Sequence, residues 1–215
     1  MEDQVGYGCQ QRTIKKHEPT TTGKVWAFHP NSPTPNLKKY KLPHITVSNG
    51  IVWPIEDHTR LYCTDGMKNR ILSFTYNVEE KTVTEYAGVA FDLDAWILSL
   101  ERPLYEGHAM LGRMTIDNNG LLWVPLYGGS HVLQIDPHTR KVQQAIRIGA
   151  PIVSACVFGG KDLDILYVST LAYGADAATA GDQGGTIYAV SGLGGVKGHE
   201  AWSFLMLPGF LHAYK

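Results

Sequence analysis

The sequence predicts an all-β protein built as a β-propeller of four-stranded antiparallel blades. Three observations predict it. Residues 113–148 read as four short strands joined by tight turns. The same strand order returns before and after that stretch. The second strand of each unit carries an apolar and aromatic pair, Leu61-Tyr62, Leu122-Trp123 and Leu166-Tyr167. A four-stranded meander that repeats is a propeller blade. A sandwich also spaces short strands evenly. Shared strand order with matched aromatic positions favours the propeller.

In the best-formed unit the strands are 113–117, 121–127, 131–136 and 141–148. The turns between them are Asn118-Asn119-Gly120, Gly128-Gly129-Ser130 and Pro137-His138-Thr139. Asn-Gly and Gly-Gly supply the positive φ angles that tight hairpins need. Val132, Gln134 and Asp136 alternate with Leu133 and Ile135, which predicts a strand with two unlike faces. Upstream, residues 51–53, 60–65, 70–76 and 82–89 follow the same order. Downstream, 154–158, 165–170 and 186–191 give three of the four strands. Residues 23–29 and 38–41 read as the last two strands of an earlier unit, with 31–36 (NSPTPN) as the turn cluster between them.

Three stretches stand outside the repeat. Residues 1–22 read as a solvated loop. Residues 92–111 interrupt the pattern and are expected to form an inserted loop with a short helical turn. Residues 199–215 form a divergent tail, apolar enough to pack on something or to make a sticky end. The whole of 1–215 is expected to be one domain, a propeller of three to four blades with an open ring.

Composition narrows the function. The chain has 215 residues, 44% hydrophobic and 18% charged, with a net charge of −1. That is enough apolar sequence for one sizeable core. Near-neutral charge gives no footprint for nucleic acid or for an anionic membrane. No apolar run has the ~20 residues a spanning helix needs, and the N-terminus has no apolar signal core. Cys9, Cys63 and Cys156 are odd in number and far apart, which argues against a disulfide framework or a Cys-x-x-Cys metal site. A reducing, cytoplasmic setting is therefore the expectation.

Four blocks carry a family resemblance. Ser48-Asn49-Gly50-Ile51-Val52-Trp53 resembles the Asn-Gly-Leu-x-Trp segment of the senescence marker protein/gluconolactonase/luciferin-regenerating enzyme family. Met114-Thr115-Ile116-Asp117 with Gly120-Leu121-Leu122-Trp123-Val124 is similar to its Met-x-Ile-Asp…Gly-x-Leu-Trp-Val. Gly159-Gly160-Lys161-Asp162-Leu163 with Leu166-Tyr167-Val168-Ser169 fits the next block. Gly184-Gly185-Thr186-Ile187-Tyr188, followed by the glycine-rich 192–198, fits the last. The resemblance covers about 23–198. It implies a six-bladed propeller whose first two blades would precede this sequence. Without them the last strand has no partner, and the open edge is expected to favour self-association.

The resemblance also implies chemistry, namely hydrolysis of a small sugar lactone by one divalent cation on oxygen ligands. Calcium is the expected ion, with zinc or manganese as alternatives. The family's ligands are a glutamate, the asparagine of Asn-Gly-Leu-x-Trp and the aspartate of Pro-Asp-Gly-Met. Only one carries over. Asn49 holds the asparagine position, against the plainer reading of a turn residue in Asn-Gly. Gly112 stands where the aspartate is expected, in Leu111-Gly112-Arg113-Met114, and Arg113 brings a positive charge beside it. The glutamate has no counterpart, and the family's substrate-contacting arginine and asparagine would fall before Met1. Asp65, at the end of a strand, and Glu106 with His108, in the 92–111 stretch, are the substitute ligands to test against plain turn or loop roles. No catalytic residue is assigned. The expectation is a lactonase-type chain impaired or inactive as written. The alternative is a non-catalytic propeller fragment that binds a ligand or a protein.

Overall fold

A computed structural model describes residues 25–29, 36–40, 45–172 and 181–200. Its regular structure is almost all antiparallel sheet, with one short helix. The first complete blade has the order β3 (Ser48–Val52), β4 (Arg60–Asp65), β5 (Arg70–Asn77) and β6 (Thr82–Asp92). The second runs β8 (Thr115–Ile116), β9 (Leu122–Tyr127), β10 (His131–Asp136) and β11 (Lys141–Arg147). The third unit has three strands, β12 (Ile152–Gly159), β13 (Ile165–Leu171) and β14 (Ile187–Val190). A hairpin of β1 (Val25–His29) and β2 (Asn36–Tyr40) precedes them, as the repeat reading expects of an earlier unit. The 1–22 and 201–215 stretches lie outside the described residues.

Packing between units explains why the middle strands read as apolar. Five of the six residues of β4, β9 and β10 are buried, so both faces of these strands are covered. Tyr62, Ile71 and Phe91 of the first blade meet Ile116, Leu122, Val124 and Leu133 of the second. The other face of the second blade, with Trp123 and Val132, packs on Val153, Cys156, Phe158, Leu166 and Val168. Leu61, Cys63, Leu72 and Phe74 form a third layer that reaches Val25 of the hairpin. Blades stacked face to face in this way make a propeller. In β13 the burial alternates, so only one face of the third unit is covered.

The strand 131–136 has the two unlike faces expected, and both are covered: Leu133 and Ile135 lie in one core cluster, Val132 lies in the other, and Gln134 is buried. Its amide donates to Asp117 Oδ2 at 3.2 Å and its oxygen accepts from Gln144 at 2.9 Å. The plainer reading of Asn49-Gly50 as a tight turn fails, because the pair lies inside β3, at a register shift against β4. A side chain at Gly50 would place its Cβ 2.9 Å from Met114 N, so the glycine serves close approach of two blades.

The 92–111 stretch is partly regular. β6 continues to Asp92, whose side chain caps the short helix α1 (Leu93–Leu98) by accepting from Ala95 N at 3.0 Å. Leu93 is buried, and Trp96 packs on Phe91 with ring centroids 6.0 Å apart. The stretch ends in β7 (Met110–Leu111), which joins β9.

Candidate functional site

The inner strands of the three units converge on residues 111–114. β7 and β8 both pair with β9, and between them the chain leaves that ladder. Gly112 N donates to Pro125 O at 2.8 Å. Arg113 then bonds to the third unit. Its N–H donates to Ser154 O at 3.1 Å, and its carbonyl accepts from Cys156 N at 3.3 Å. Arg113 and Ala155 form a parallel bridge. From the other side, Asn49 Nδ2 donates to Leu111 O at 3.2 Å. Thr64 holds Asn49-Gly50 in place, since its hydroxyl accepts from Gly50 N and donates to Gly50 O at 3.3 Å. Asn49, Gly112, Arg113 and Ser154 therefore come together from three units.

Asn49 is half-buried on β3, with its amide nitrogen turned to the Leu111 carbonyl. Its Oδ1 is the one oxygen it can offer a ligand. Gly112 is packed shut. A Cβ there would lie 2.7 Å from Ser154 O, 2.9 Å from Pro125 Cγ and 3.1 Å from Pro125 O. Asp65 is buried and occupied, accepting from Thr46 N at 3.0 Å, from Val47 N at 3.2 Å and from the Thr46 hydroxyl. It anchors the strand entry, as a plain structural aspartate does. Glu106 and His108 are exposed on the segment between α1 and β7.

This donor set does not fit a divalent cation. Calcium takes about 6–8 oxygens, with carboxylates supplying the charge. Here Asn49 supplies one neutral oxygen, and the aspartate position has neither a side chain nor room for one. Among the described residues, no three His, Cys, Asp or Glu side chains lie close enough to share a metal.

The Asp117 network went unread in the sequence. Buried Asp117 accepts from Trp123 Nε1 at 2.8 Å, Gln134 Nε2 at 3.2 Å, Asn119 N at 2.9 Å and Leu121 N at 3.0 Å. It ties the Met-x-Ile-Asp strand to the Trp of the next one. An aspartate before an Asn-Asn-Gly turn, with a tryptophan six residues on, was the available signal. The thiols are equally structural. Burial pushes both Cys63 and Cys156 up to about 12, and Cys156 Sγ donates to Trp123 O at 3.2 Å.

Residues 7–172 match the family described as the SMP-30/Gluconolactonase/LRE-like region. The chain belongs to this family. Rabbit (Oryctolagus cuniculus) regucalcin is 29% identical over 193 residues, 89% of this chain and 57% of its own. Zebrafish (Danio rerio) regucalcin is 31% identical over 162 residues, 74% of this chain and 50% of its own. The Bacillus subtilis protein YvrE, named as a candidate sugar lactone lactonase, is 33% identical over 129 residues, covering 59% of this chain and 39% of its own. The chain spans about half the length of the curated relatives it matches. Among solved structures, a luciferin-regenerating enzyme superposes with a TM-score of 0.63 at 24% identity, over 86% of this chain and 57% of its own. A calcium-binding regucalcin of Agrobacterium tumefaciens gives 0.60 at 21% identity, over 76% and 51%. At these identities the superpositions establish the shared propeller fold of the family.

Proposed function

We propose that this chain carries the small-molecule site scaffold of a sugar-lactone hydrolase but does not hydrolyse lactones as written. The substrate class comes from the relatives, one of which is named as a candidate sugar lactone lactonase. The observation that carries the inactive reading is Gly112. A carboxylate expected there would charge a cation site and position the attacking water. The position instead packs against Ser154 O and Pro125 with no space for a side chain. Asn49 remains as a neutral ligand, and a neutral site that must strip water from a divalent cation holds it weakly. Loss of a positioned base alone costs about 10²–10⁴ in rate. Calcium, with zinc or manganese as alternatives, is the cation such a site would take, weakly. A single domain working in a cytoplasmic setting completes the proposal.

The test is a pH-stat assay on gluconolactone with calcium, zinc and manganese in turn. The expected result is opening at the spontaneous rate with each ion. Metal-dependent turnover well above that rate would overturn the reading and make Glu106 or His108 the ligands to mutate next.

A further inference from the structure

The sequence holds two Asn-Gly pairs, Asn49-Gly50 and Asn119-Gly120, and one Asp-Gly pair, Asp65-Gly66. In such pairs the glycine puts no side chain beside a backbone nitrogen that can attack the preceding side chain. The fold treats the three pairs differently. Asn49 Nδ2 donates to Leu111 O at 3.2 Å, and the Gly50 N–H is held by the Thr64 hydroxyl. A Cβ at Gly50 would already lie 2.9 Å from Met114 N. Ring closure there has neither a free side chain nor room. Asp65 is buried, its carboxylate accepts from Thr46 and Val47, and the Gly66 N–H donates to Val47 O at 3.0 Å.

Asn119 is exposed. Its backbone N–H donates to Asp117 Oδ1 at 2.9 Å, but among the described residues no hydrogen bond holds its side-chain amide. Gly120 has φ +78°, and nothing lies within 4 Å of where a Cβ would stand. Its N–H makes one turn bond, to Asp117 O at 3.1 Å. Asn118 is exposed as well, but the Cβ of Asn119 crowds the nitrogen that would attack it. Asn119 and Gly120 line a crevice of about 200 Å³ between the two full blades, together with Glu56, Asp57 and His138. Water therefore reaches the pair.

We propose that Asn119-Gly120 is a self-modification site, where the fold permits the deamidation that it blocks at Asn49-Gly50. The Gly120 backbone nitrogen attacks Asn119 Cγ. A C–N bond forms, the Cγ–Nδ2 bond breaks, and the amide leaves as ammonia with the proton from Gly120. Water then opens the resulting succinimide at either carbonyl, giving aspartate or isoaspartate and one free proton. Both products put a carboxylate into the crevice that Glu56 and Asp57 line. Isoaspartate also adds one backbone carbon between residues 119 and 120. The Leu121 N–H, bonded to Asp117 Oδ1 at 3.0 Å, lies just past that insertion. The isoaspartyl form therefore loosens the Asp117 network at its turn end.

The experiment is incubation of the full chain in mildly alkaline buffer, with and without urea, followed by peptide mapping with mass spectrometry. Electron-transfer fragmentation separates aspartate from isoaspartate. In urea the two Asn-Gly pairs should convert at similar rates. In native buffer Asn119 should nearly keep that rate. Asn49 should slow by about tenfold or more, since a factor of ten needs only about 1.4 kcal/mol of local opening. Equal slowing of the two sites, or no native conversion at Asn119, would overturn the proposal. Asn119→Asp supplies the charge without the extra backbone carbon, so it should unfold in urea with the unmodified chain. The isoaspartyl fraction, separated by ion exchange, should unfold at lower urea. Equal midpoints for that fraction and Asn119→Asp would overturn the link to Asp117.

Discussion

Gly112 lacks a side chain because the inner strands of two units close over it. A Cβ at that position meets a backbone carbonyl, which gives way less readily than a flexible side chain. An aspartate placed at Gly112 would not rebuild a cation site, because the Ser154 carbonyl leaves its side chain no room. Gly112→Ala and Gly112→Asp should each destabilise the chain by about 1–3 kcal/mol, the usual cost of overpacking. Chemical denaturation measures it, and a Gly112→Asp chain that melts normally and gains calcium binding would refute the steric argument. The two buried thiols give a second test at this scale. A thiol held near 12 is ionised in roughly one molecule in ten thousand at pH 8. Cys63 and Cys156 should therefore react with a thiol reagent only as fast as the chain opens, and denaturant should release both. Their folded values are raised, so the native state holds more protons between about 9 and 12. Their contribution is fully present below pH 9 and is lost as pH rises through that window. Each thiol gives a slope of about 1.4 kcal/mol per pH unit inside it. Flat stability from pH 9 to the alkaline limit would contradict this.

Each blade is held by something more specific than apolar faces. In the second blade Asp117 gathers two side chains and two backbone amides from three successive segments. Asp117→Ala should be severe, because buried donors on Trp123, Gln134 and the turn would lose their acceptor at about 1–3 kcal/mol each. Asp117→Asn should cost less, because its oxygen can still serve one of them. Urea unfolding followed by tryptophan fluorescence reads the difference, and equal loss in the two variants would show that the network is not the cause. This element also marks the limit of what the sequence reveals. Strand order was legible because turns are local chemistry. Asn118-Asn119-Gly120 ends a strand wherever it occurs, and Gly120 does take φ +78°. The inward turn of Gln134 was not legible, because it depends on an acceptor 17 residues away. The candidate site was legible as residue types at Asn49, Gly112 and Arg113. Their meeting was not, since it depends on how closely Gly50 lets one blade approach the next.

At the scale of the whole molecule, the third unit differs from the other two. Its inward face, with Cys156, Phe158, Leu166 and Val168, belongs to the core. On the opposite face, Val157 pairs across Tyr167 to Ala189, and Ala155 across Ser169 to Ile187. Val157 is 57% exposed and Ile187 71%, in a strand arrangement whose counterpart in the second blade is covered on both sides. Among the described residues β14 pairs only with β13 and is the last strand of its sheet, beside this apolar face. Edge and face together are the features that draw a second chain. The chain by itself should therefore associate with further copies through this unit, with a fraction that rises with concentration. Val157→Lys combined with Ile187→Lys should return it to monomer. Both side chains are exposed already, so the double variant should keep its melting temperature, because a surface change away from special features stays within about 0.5 kcal/mol. Sedimentation or size exclusion with light scattering across a dilution series measures the outcome. A chain that is monomeric at every concentration, or one whose association ignores the two lysines, would place the contact elsewhere or remove it.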